Sequence, residues 1–149
     1  ELAEQLIQLG DLKIAGEYVS RAWLKDANRT VVLDAPAGTV QVPTGNYSSF
    51  NVHLRNDGQG ASLKDDYWRR GLTRTIAVEV GKPATLVAGG PLTNSVSLRR
   101  RGNLLVLDYR LVGAGGDAYE LDAQDRSKPP TFAIYRGDKQ LATGKFEFG

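Results

Sequence analysis

From Tyr18 onward, apolar residues fall at alternate positions. Val40 and Val42 share one face of TVQVP, and Phe50, Val52 and Leu54 share one face of SFNVHLR. TIAVEV repeats the pattern with Ile76, Val78 and Val80. In NLLVLDYRLV, Leu105, Leu107, Tyr109 and Leu111 point one way, and Val106, Asp108 and Arg110 point the other. A strand sends successive side chains to opposite faces, so this period of two predicts half-buried antiparallel strands. YVSRAWL and TVVLD alternate in the same manner, and Trp23 is assigned to the core.

Only the opening differs. Leu2, Leu6, Ile7 and Leu9 are spaced as on a helix, and Gly10 follows as a C-cap. The spacing predicts one or two turns of helix, or else a linker to a preceding part. Turn signals then recur at short intervals: DANR, DAPAG, PTGN, NDGQG, VGKP, AGGP, RRG, GAGG and SKPP. Many short strands with such punctuation predict an all-β antiparallel sandwich. The polar stretch GQGASLKDDYWRRGLTR interrupts the alternation. A boundary at its Gly71 divides the chain into an N-terminal β module, 1–71, and a C-terminal immunoglobulin-like sandwich, 72–149. A module of that size is marginal alone, so the two are expected to pack closely or to share one core.

Composition narrows the chemistry. The chain has 149 residues, a net charge of +2, and neither Cys nor Met. It therefore has no disulfide, no thiolate nucleophile and no zinc–cysteine site. The charge is too small to argue for nucleic acid, and no apolar run is long enough for a membrane span. The absent Met and the end at GKFEFG fit a piece of a longer, processed chain.

Two motifs resemble known β-sandwich families. Asp117-Ala118-Tyr119, with Leu121 two residues beyond the Tyr, resembles the entry to strand F of immunoglobulin-like domains. The resemblance implies a buried Tyr119 whose hydroxyl bonds to nearby backbone, and puts Leu121 where such domains carry their second Cys. The partner tryptophan and the disulfide are missing. Pro43, Gly45 and Tyr47 in VPTGNYSSF resemble the P-x-G-x-Y turn of secreted bacterial surface modules of the prealbumin-like or collagen-adhesin-B type. There Pro and Gly shape the turn and Tyr packs on the sheet.

Candidate reactive residues have bland competitors. His53, the one histidine, lies out of phase with Val52 and Leu54 and belongs on the polar face, exposed. No nucleophile elbow or metal-ligand spacing accompanies it. Asp117, Glu120, Asp122 and Asp125 crowd one region but lack the calcium-loop pattern, so they read as a solvated edge. Arg99, Arg100 and Arg101 precede Gly102 at a hairpin tip, and alternation divides them between two faces. The polar crossing carries the remaining binding candidates, Tyr67, Trp68, Arg69 and Arg70. The aromatic pair there could stack on a sugar ring or anchor the loop, and burial habits favour anchoring.

The last hairpin contains Arg136-Gly137-Asp138, which elsewhere can signal cell adhesion. Gly137-Asp138 between TFAIY and KQLAT is also a complete two-residue hairpin turn, with Gly at the position that needs a positive φ. Turn chemistry therefore accounts for the tripeptide. Leu141 and Phe146 differ in parity, so a β-bulge is expected at or beside Gly144. The reading that results is a non-catalytic extracytoplasmic binding or structural module of a larger bacterial protein, needing no cofactor or metal. Its expected partner is a carbohydrate or a protein. The competing reading is an accessory domain of a secreted hydrolase.

Overall fold

The computed structural model describes residues 7–63, 75–122 and 127–147. It is all-β, and no helix among the described residues is long and apolar enough to cross a membrane. The strands are, in order, β1 (Leu9–Ala15), β2 (Val19–Lys25), β3 (Thr30–Asp34), β4 (Thr39–Pro43), β5 (Gly45–Tyr47), β6 (Ser49–Asn56) and β7 (Gln59–Leu63). After the polar crossing come β8 (Ile76–Val78), β9 (Ala84–Val87), β10 (Thr93–Arg101), β11 (Leu104–Val112), β12 (Ala118–Leu121), β13 (Thr131–Arg136) and β14 (Lys139–Lys145).

The alternation becomes two layers. One is a seven-stranded sheet in the order β10-β11-β12-β7-β6-β2-β3. The other combines β4-β1-β9 with the pair β5-β8. Their facing sides form one core. Leu12, Val42, Tyr47, Val78 and Leu86 come from the second layer, and Ala22, Leu24, Val52, Leu54 and Tyr119 from the first. All pairing within the seven-stranded sheet is antiparallel, while β1 and β9 run parallel. Strands from both sides of Gly71 pair directly: β1 with β9, β5 with β8 and β7 with β12. The two halves thus share one core, the closer of the two arrangements left open by the sequence.

Local expectations fare unevenly. Leu9 and Gly10 lie in β1, not at the end of a helix. A Cβ on Gly10 would come within 2.7 Å of the Glu79 carbonyl oxygen and of Val78 Cγ1. The glycine there admits a close neighbour and caps nothing. Trp23 is not a core residue. Ala22 and Leu24 point inward and are fully buried, which turns Trp23 to the outer face, where it is half-buried. The small Ala22 hid this phase, since the larger Trp was the more obvious core candidate.

In the last hairpin a bulge is present, but its place differs. The register shifts between Ile134 and Tyr135, which leaves Leu141 as the extra residue. Gly144 sits in regular register opposite Phe132. A Cβ on Gly144 would lie 2.5 Å from Phe132 Cζ, so this glycine lets the ring lie over the backbone. Gly137 has φ +58° in the two-residue turn between Arg136 and Lys139, the positive φ that the sequence assigns to this position.

Candidate functional site

A polar constellation around a buried carboxylate occupies the turn between β2 and β3. Asp26, only 9% exposed, accepts the backbone N–H groups of Asn28 at 2.7 Å and Arg29 at 2.8 Å. Its other carboxylate oxygen is 3.3 Å from the Arg29 guanidinium. The Asn28 N–H bond holds the carboxyl below the ordinary aspartate range; burial opposes this, and the Arg29 N–H and charge assist it. Gly45 leaves room for this carboxylate, since a Cβ there would stand 2.9 Å from Asp26 Oδ2. Two residues on, Tyr47 is fully buried and donates its hydroxyl to the Pro43 carbonyl at 2.6 Å. Burial, and then the Asp26 charge, raise the Tyr47 phenol above its ordinary value. Pro43, Gly45 and Tyr47 of the PTGNY turn thus each have a structural task. These bonds hold this end of the sandwich together.

Tyr119 has a related role over a longer span. It is 3% exposed, and its hydroxyl accepts the Gly89 N–H at 2.8 Å. The bond reaches 30 residues back along the chain, so it ties β12 to the segment following β9. Tyr47 makes a bond of shorter range, from its hydroxyl to a carbonyl four residues back. Gly113 makes way for the Tyr119 ring, 2.5 Å from where a Cβ would stand.

The outer face of the seven-stranded sheet carries His53, on the polar side as its phase predicts. It is half-buried rather than exposed, because its ring packs edge-on against Trp23 with centroids 4.8 Å apart. The Arg21 guanidinium lies 5.7 Å from the Trp23 ring centre and is paired with Asp34. Nearby, Ser62 donates to Asp122 at 2.6 Å. Among the described residues, no three His, Asp or Glu side chains form a metal-binding group. Tyr67, Trp68, Arg69, Arg70 and Asp125 lie outside the described residues.

A different surface stands out at the far end of that sheet. Beyond its pairing with β12, the β10–β11 hairpin runs on as an arm. Every residue of β10 is exposed. On the face continuing the sandwich interior, Val96, Leu98 and Leu105 are 48, 61 and 47% exposed. On the opposite face, Leu104 and Val106 are 69 and 36% exposed. Among the described residues, cover reaches the arm at its base. Tyr109 meets Phe146, and Phe146 meets Phe132, each with ring centres 5.2 Å apart. Tyr109 also donates its hydroxyl to Asn94 at 2.7 Å. Arg99, Arg100 and Arg101 close the free end beside the turn, all exposed, and Arg100 Nε donates to the Gly102 carbonyl at 3.1 Å. The sequence marked these strands correctly. It could not mark them as uncovered, because the alternation Leu105-Leu107-Tyr109-Leu111 looks the same with or without a layer above it.

No family model, curated protein or solved structure matches the chain.

Proposed function

We propose that the chain is a non-catalytic, extracytoplasmic binding module that docks a protein through the β10–β11 arm. The observation that carries this reading is the arm itself, with five large aliphatic side chains between 36 and 69% exposed on its two faces. Large aliphatic side chains left exposed together on a strand pair cost free energy in water, and such clusters mark sites of protein contact. The arginines at its free end add directional polar contacts, as interfaces favour. The non-catalytic part of the reading rests on what the polar groups already do: His53 packs on Trp23, Asp34 pairs with Arg21, and Asp26 binds backbone. A protein is favoured over a sugar, because the aromatic on the sheet face already has Arg21 over its ring. The extracytoplasmic setting rests on the resemblance of the PTGNY turn to secreted bacterial modules.

A photo-crosslinking residue at Leu105, compared with one at Asn51 on the outer face of the sandwich, tests the proposal in cells that make the protein. Polypeptide adducts from position 105 alone are expected. Equal adducts at both positions, or none at 105, would overturn it.

A further inference from the structure

β10 is the edge strand of the seven-stranded sheet, and among the described residues one side of its backbone has no strand neighbour. The strand reads Thr-Asn-Ser, Val-Ser-Leu, Arg-Arg-Arg: three small polar residues, two aliphatic residues around a serine, then three cations. Reversed against itself, this sequence is complementary about Ser97. Val96 of one copy then meets Leu98 of the other, and Leu98 meets Val96. Arg99, Arg100 and Arg101 meet Ser95, Asn94 and Thr93. No arginine opposes an arginine. Shifting the centre to Leu98 sets Val96 against Arg100, and shifting it to Val96 sets Asn94 against Leu98. A parallel in-register pairing would stack all the arginines on one another. Only the centre at Ser97 sets both aliphatic residues against aliphatic partners, and it does so with all nine residues paired and no arginine opposite another.

The backbone agrees with this register. A two-residue turn joins Arg101 to Leu104, and such a turn is closed by a hydrogen-bonded pair. Hydrogen-bonded and non-bonded pairs alternate from there, so Arg99, Ser97 and Ser95 also bond toward β11. Asn94, Val96, Leu98 and Arg100 therefore direct their N–H and C=O groups to the open edge. A pairing centred on Ser97 matches these four residues with their own counterparts. We infer that β10 is an edge built to pair antiparallel with β10 of a second copy of this chain, centred on Ser97, giving a two-fold dimer with one continuous sheet. This rests on the reading of the arm as a protein-docking surface and names its occupant.

Such a contact is isologous, as two-fold dimers require. The apolar strip it completes is short, so association is weak and depends on concentration. An edge pairing of this length falls below the ~1,200 Å² of a standard interface. The arginine end limits what else can pair here, as charged edges do in sheets that must not aggregate.

The absence of cysteine makes the test direct. In the proposed dimer, Ser97 and its mate form a non-hydrogen-bonded pair with Cα atoms about 4.5 Å apart, within disulfide reach. Ser95 and its mate stand roughly 13 Å apart, beyond reach. Under mild oxidation, Ser97→Cys should form covalent dimer at least ~10-fold faster than Ser95→Cys, as the geometric limit on disulfides demands. Sedimentation equilibrium of the unmodified chain should show a monomer–dimer equilibrium that Leu98→Lys abolishes. Equal crosslinking at both positions, a strictly monomeric chain, or a dimer that survives Leu98→Lys would each overturn the inference. Photo-adducts from position 105 to a different polypeptide, with no Ser97 crosslink, would overturn self-pairing and leave the docking proposal standing.

Discussion

Tyr47 and Leu104 are both large side chains on short-period strands, yet Tyr47 is fully buried and Leu104 is 69% exposed. Around Tyr47, two layers meet and the turn before β3 closes the end. Asp26 stays partly dry because two backbone N–H groups and Arg29 hold its charge. Around Leu104, a hairpin of equal regularity continues past the edge of the opposite layer. The strand pattern is satisfied in both places, but only one has something to pack against. Periodicity therefore states which way a side chain points, and not whether it is covered. The stability of the domain is expected to reside in the Tyr47 region, with the arm free to meet a partner.

The sharpest break of this comparison is to empty the two positions in turn. Tyr47→Ala leaves a core void and an unpaired Pro43 carbonyl, and should lower unfolding free energy by about 3–5 kcal/mol in chemical denaturation. Leu104→Ala should stay within about 0.5 kcal/mol of the parent, as for a surface change. Losses of similar size would mean that the arm belongs to the core. Gly144→Val tests the covered base of the arm. The new methyl groups collide with the Phe132 ring, and overpacking of this kind costs about 1–3 kcal/mol. The hairpin should lose its aromatic near-UV circular dichroism before the sandwich unfolds; one transition shared by both would show that they are a single unit. The smallest expected loss in the core comes from Tyr119→Phe. It removes the acceptor of the Gly89 N–H and should cost about 1 kcal/mol, with the far-UV spectrum unchanged. No loss would mean that the hydroxyl bond to Gly89 adds nothing to the packing of the ring against Gly113.

Much of the architecture is legible in the sequence. The alternating runs became strands and the Gly-containing links became turns, because both depend on neighbouring residues alone. Gly137 illustrates this: its positive φ follows from a two-residue turn, whatever lies around it. The PTGNY turn was also legible, although the reason for its glycine was not, since Asp26 arrives from another strand pair. Trp23 was misplaced because size argued for burial, whereas its neighbours Ala22 and Leu24 take the inward positions. The bulge was inferred from a parity conflict that was real, and then assigned to the glycine. The extra residue is Leu141, and Gly144 serves the Phe132 ring instead.

The candidate site was the less legible part. The arginine triplet and the alternating leucines were both visible, each with an ordinary explanation. Their joint meaning depends on β10 being an edge strand, and edge position is a property of the whole sheet. By itself, the sequence determined strand identity, turn conformation and the self-complementary order of β10, because a pleated backbone turns adjacent side chains to opposite faces wherever it lies. Only the tertiary structure decided that Tyr47 closes a core, that His53 and Trp23 face outward together, and that the β10–β11 arm stands uncovered. Burial requires a second layer, and where that layer ends is set by pairings between residues far apart in the chain.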